Sequence, residues 1–95
     1  MSDYIVSYDL KKHKDYPRLY AALKQWRAVP LLESFWLVPD LKGPAAAVLD
    51  LLRRYIDNDD GIAVIQIVPG MQWCSLRAKT PGENFLLRRF PEYWH

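Results

Sequence analysis

A single cysteine, Cys74, excludes an intrachain disulfide framework and a cysteine-based zinc site, and points to a reducing compartment, the cytoplasm. No apolar run approaches the roughly 20 residues needed to span a bilayer. The opening MSDYIVSYDL has neither the basic region nor the long apolar stretch of a signal peptide, so the expectation is a soluble intracellular protein with no membrane partner. Repeats and low-complexity segments are absent as well. The formal net charge of +2 is too small to demand a nucleic-acid partner, yet it permits one, because affinity follows local clustering of cations and not the total.

What the chain does have is apolar material. Of its 95 residues, 51% are hydrophobic and 14% aromatic, enough for one core but not for a second domain. YIVSY, residues 4 to 8, has the β-branched and aromatic composition of a strand. From Asp15 the period changes. Tyr16, Leu19, Tyr20, Leu23 and Trp26 recur at spacings of three and four while Arg18, Lys24 and Arg27 fall elsewhere, which predicts an amphipathic helix with Asp15 as N-cap and Pro17 in its first turn. Pro30 interrupts that period, and LLESFWLV, residues 31 to 38, reads as a second strand.

A second helix is expected from Pro44, with Val48, Leu49, Leu52 and Ile56 on one side. DNDDG, residues 57 to 61, turns the chain into the nearly continuous apolar strand IAVIQIV, residues 62 to 68. MQWCSLRA, residues 71 to 78, reads as a further strand, and the remaining residues as a tail whose Phe85, Leu86, Phe90, Tyr93 and Trp94 need a surface to pack against. Cys74 reads as a small buried hydrophobe, and the four tryptophans as core or interface residues. The order of elements predicts an α+β sandwich, ferredoxin-like and of βαββαβ type, with a mainly antiparallel sheet and two helices on one face. The domain spans residues 1 to 78, and the tail, residues 79 to 95, packs on it or on a partner. Trp36, Ile65 and Trp73 make the opposite sheet face too apolar for bare exposure, and a two-fold dimer would cover it.

One stretch stands apart. YIVSYD ends a buried-looking strand on a carboxylate, Asp9, and within five residues Lys11, Lys12, His13 and Lys14 follow. With Arg18 they form the densest basic cluster of the chain. Two readings are open: Asp9 is a turn former beside a solvated charge run, or it holds a metal ion beside a phosphate backbone.

YIVSYD, the amphipathic helix after it, and a following strand with Ser34 beside an aromatic in ESFWLV together resemble the small CRISPR-associated adaptation proteins of the Cas-two family. They also resemble the virulence-associated protein D group. The resemblance covers residues 3 to 68. It implies a ferredoxin-like homodimer with the strand-end Asp9 of each protomer near the two-fold axis. It also implies a metal-dependent endonuclease of RNA or DNA, or a non-catalytic scaffold that holds duplex DNA alongside an integrase-type partner. Carried over, Asp9 is the metal ligand and Ser34 the hydroxyl beside it. Where the family often has glutamine before the serine and valine after it, Glu33 and Phe35 stand here.

The chemistry is consistent with that implication. Mg2+, or Mn2+ in its place, takes one or two carboxylates from protein and completes its shell with water and phosphate. One Asp9 per chain is thin, but a two-fold axis supplies two. His13 is a candidate proton donor or acceptor, since its ordinary pKa lies near neutrality. Asp57, Asp59 and Asp60 lack the loop length and terminal glutamate of a calcium loop and read as a turn.

Overall fold

Alternation along the first strand decides the architecture. In a computed structural model that describes residues 1–11 and 16–91, β1 runs Ser2–Asp9 and turns Tyr4, Val6 and Tyr8 to one side, all buried. Against them pack Leu19 and Leu23 of α1 (Pro17–Gln25) and Val48 and Leu52 of α2 (Ala45–Leu52). Both helices therefore lie on one face of the sheet. The chain follows β1, α1, β2 (Val29–Leu32), β3 (Phe35–Leu41), α2, a short 3-10 turn at Arg53–Tyr55, β4 (Gly61–Ile67) and α3 (Thr80–Arg89). The sheet order is β2-β3-β1-β4 and each pairing is antiparallel. This is the ferredoxin-like α+β sandwich, extended by a third helix.

Two local expectations are corrected. Residues 31–38 are not one strand: Glu33 and Ser34 turn the chain, making a hairpin of β2 and β3. The first helix ends at Gln25, before Pro30, as expected; Pro30 lies inside β2, which is tolerable because β2 is an edge strand and its missing N–H costs no central ladder bond. Residues 71–78 form no strand; they cross the second face of the sheet as irregular chain, with Met71 and Trp73 packed inward. The expected capping role of Asp15 lies outside the described residues; α1 carries Tyr16 at its N-cap position, with Pro17 following.

The second face has its own core. Leu31, Leu37 and Ile67 are covered by Phe85 and Leu86 of α3. Trp36 was expected here but points the other way, into the cluster under α1 and α2. Its neighbours in β3 explain this: Leu37 takes the α3 side, and alternation sends Trp36 to the opposite one. Cys74 is exposed and not a core residue.

α3 is fixed at both ends. Near its start Gly82 lies against the backbone of Pro30 and Leu31, and the Lys79 N–H donates to the Leu31 carbonyl at 2.8 Å. At its end Arg89 reaches back to β1 and β3, donating to both Asp3 oxygens at 3.0 and 3.1 Å and to Asp40 at 3.1 and 3.3 Å. The hydrogen bond from Arg89 holds the Asp40 carboxyl below its usual range. Toward β4 the cover thins, and Ile65 stays 55% exposed.

Candidate nucleic-acid interface

The residues singled out by their sequence gather at one end of the sheet, where β1 finishes, β4 begins and the β2–β3 hairpin turns. Asp9 is the last residue of β1, opposite Gly61, the first of β4. A Cβ added at Gly61 would meet Asp9 at 3.8 Å, an ordinary contact, so this corner is open and not tightly packed. The Asp9 side chain is 75% exposed, as an end-of-strand position on the rim dictates. Lys11 Nζ lies 3.0 Å from Asp9 Oδ2, and that hydrogen bond raises the lysine pKa, keeping it charged.

Asp60 organises the rim beneath them. Its Oδ1 accepts the Lys11 N–H at 2.8 Å and the Tyr16 hydroxyl at 3.4 Å, and its Oδ2 accepts the Asp57 N–H at 2.8 Å. One side chain thus ties the segment leaving β1, the start of α1 and the turn before β4 together. The acidic run at residues 57 to 60 is a turn knotted by its own backbone, with the Asp60 N–H returning to the Asp57 carbonyl at 3.1 Å. Nothing in the linear sequence marks Asp60 for that role, because its partners sit 44 and 49 residues away.

Ser34 is close to the expected place but in a different setting. It stands exposed in the hairpin turn, not within a strand, and its carbonyl accepts the Tyr8 N–H at 3.1 Å. The strand-end carboxylate and the serine therefore share one rim, held by a main-chain bond between neighbouring residues. Arg18 is exposed in the first turn of α1. Lys12, His13 and Lys14 lie outside the described residues.

Beside the rim lies a cleft that the sequence did not reveal. Tyr8 and Trp36 form its floor, with Trp36 Nε1 donating to the Tyr8 hydroxyl at 2.9 Å, and Tyr20 rises from α1 as one wall. Burial pushes the Tyr8 pKa up to about 12, so this phenol stays a neutral hydrogen-bonding group across the physiological range. Alternation in YIVSYD could have put Tyr8 under the helices, but its meeting with Trp36, 28 residues on, needs the sheet register.

A metal site can be tested on the donors. Asp9 offers an exposed carboxylate, whereas both oxygens of Asp60 are committed to hydrogen bonds. No group of three or more possible ligands gathers among the described residues. A hard cation such as Mg2+ or Mn2+ keeps most of its waters and takes one or two carboxylates from protein, and Asp9 offers one at this corner. Among the described residues, no helix is long and apolar enough to cross a membrane. No family model, curated protein or solved structure matches the chain.

Proposed function

We propose that this is a nucleic-acid-acting protein of the Cas-two-like class, a homodimeric metal-dependent endonuclease that hydrolyses phosphodiester bonds of RNA or DNA at its β1 rim. The observation that carries the reading is the exposed Asp9 carboxylate at the end of the central strand, with the Lys11 ammonium 3.0 Å away. Two Asp9 carboxylates across a two-fold axis would hold Mg2+ or Mn2+, which when bound lowers the pKa of a coordinated water and offsets charge at phosphorus. Lys11 and Arg18, continued by Lys12, His13 and Lys14, attract the phosphate backbone. Ser34, exposed in the adjoining hairpin turn, would orient the carboxylate or a water. The half-open sheet face at Ile65 gives a second copy apolar surface to cover.

The test is cleavage of labelled RNA and DNA, single- and double-stranded, with magnesium, manganese or EDTA, by the wild type and by Asp9→Ala. Because Asp9 is exposed and its ion pair is a surface one, the substitution should leave the fold intact. Metal-dependent cleavage that disappears in Asp9→Ala is the expected result. Cleavage that survives it would refute the assignment.

The Asp9–Lys11 pair also favours a second reading. A carboxylate already neutralised by its own chain suits a scaffold that binds without cutting, holding duplex DNA beside an integrase-type partner. In that case charge reversal at Lys11, Lys12 and Lys14 abolishes binding, and Asp9→Ala changes nothing.

A further inference from the structure

The cleft behind the rim has the composition of a base-binding site. Its floor is fixed, since the Trp36 to Tyr8 hydrogen bond and the burial of both rings hold them in place. Tyr20 is only half-buried and stands with its ring centroid 6.3 Å from that of Tyr8, tilted by 46°, so the two rings splay instead of stacking. Pro30 supplies an apolar side from the hairpin edge. Two exposed lysines also line the cleft: Lys24, one helical turn after Tyr20 on α1, and Lys79, at the N-cap position of α3. The space is about 400 Å³, within the range of small-ligand clefts.

Aromatic walls with cations beside them match a flat ring joined to a phosphate. We propose that this cleft takes one unpaired nucleobase, stacked on Tyr20 over the Tyr8–Trp36 floor, while Lys24 and Lys79 hold the phosphates on either side, so that the rim engages single strands. The inference rests on the nucleic-acid reading given above and adds the strandedness of its substrate.

Topology supplies the reason for single strands. Tyr8 and Asp9 are consecutive in β1, so their side chains leave on opposite faces of the sheet with Cα atoms about 3.8 Å apart. A strand with its base over the Tyr8 floor and a phosphate near Asp9 has to bend over the rim from one face of the sheet to the other. A free strand turns this way readily. A duplex would have to unpair and unstack the base first. Glu33, also at the cleft, carries an acidic group that repels phosphate and so favours the path past the lysines.

The experiment measures binding in EDTA, where metal-dependent cutting is off, using short labelled RNA and DNA oligonucleotides offered single-stranded and as duplexes of the same sequence. The wild type is expected to prefer the single strand. Tyr20→Leu keeps apolar bulk but removes the stacking face and should weaken single-strand binding about five- to hundredfold while sparing duplex binding. Because Tyr20 touches the core, the surface pair Lys24→Gln with Lys79→Gln is the second variant; it should lower the slope of log affinity against log salt by about 1.4, two contacts at about 0.7 each. Single-strand binding that ignores both variants overturns the inference and leaves the nucleic-acid reading standing. A wild type that binds no strand of either kind overturns both. Loss of cleavage in Asp9→Ala with unchanged, Tyr20-dependent binding supports both.

Discussion

Gly82 is the position where a single added methyl group should do most damage, and the damage can be worked from the geometry. An alanine Cβ there would sit 2.5 Å from Leu31 Cα, 2.5 Å from the Pro30 carbonyl oxygen and 2.8 Å from Leu31 N. All three are backbone atoms of β2, so no side chain can rotate away. Relief requires α3 to retreat by about 1 Å, toward the 3.5–4.0 Å at which carbon atoms pack. A gap of that size forfeits about a quarter to a half of the dispersion attraction across the interface. Phe85 and Leu86, both buried there, are each worth about 1.5–3 kcal/mol, so the loss is about 1–3 kcal/mol. The hydrogen bond from Lys79 N to Leu31 O, 2.8 Å long and one turn away, is stretched by the same movement.

Against this stands the ordinary gain of about 0.5–1 kcal/mol when alanine replaces glycine in a helix. The clash wins, and Gly82→Ala should destabilise the protein by about 2 kcal/mol, lowering the Tm by about 10 °C for a domain of this size. Thermal and urea unfolding followed by circular dichroism reads the effect directly. Asn84→Ala, on the exposed side of the same helix, is the control and should stay within about 0.5 kcal/mol. A Gly82→Ala variant as stable as the wild type, or more so, would show that α3 does not approach β2 as described.

Two further outcomes follow from buried polar groups. Arg89→Met removes the cation from Asp3, whose side chain is only 10% exposed, and should cost about 1–3 kcal/mol in urea unfolding; the figure is below that of a fully buried pair because Arg89 itself is 38% exposed. Adding Asp3→Asn should recover part of the loss, and a purely additive double variant would mean the pair is not coupled. An ultraviolet titration of the tyrosines should show one phenol ionising only near pH 12, absent in Tyr8→Phe. Since the folded pKa lies above the ordinary 10.0, this group's contribution to stability is complete below pH 10 and declines as pH rises toward 12.

The fold was legible because element order is written in local patterns, and each miss has a local cause. Apolar residues run on both sides of Glu33 and Ser34, with no glycine, asparagine or proline to signal a hairpin, so two strands read as one. MQWCSLRA has strand composition, but its large side chains are spent covering Leu37 and Ile67 and it pairs with no neighbour. These two errors offset each other in the strand count, which is why the overall class still emerged. At the rim, the pairing of Asp9 with Lys11 was within reach of the sequence because the two lie two residues apart. Tyr8, Tyr20 and Trp36 were assigned to packing, and packing is what Tyr8 and Trp36 do; only the sheet register shows that their contact opens beside the rim.

The rim owes its geometry to the position of β1. This strand is paired on both sides and buried against helices on one face, so its last residues, Tyr8 and Asp9, are carried by the least yielding part of the molecule. The cations are mounted differently: Lys11 follows the strand, Lys24 lies in the last turn of α1, and Lys79 stands where irregular chain enters α3. The aromatic floor and the carboxylate are therefore stiffly placed, while the cations ride on long adjustable stems. Lys79 is also tied to β2 through its own N–H, so the contact at Gly82 that seats α3 also sets one wall of the cleft. A displaced α3 would move Lys79 and leave Asp9 where it is, separating the cleft from the strand-end carboxylate.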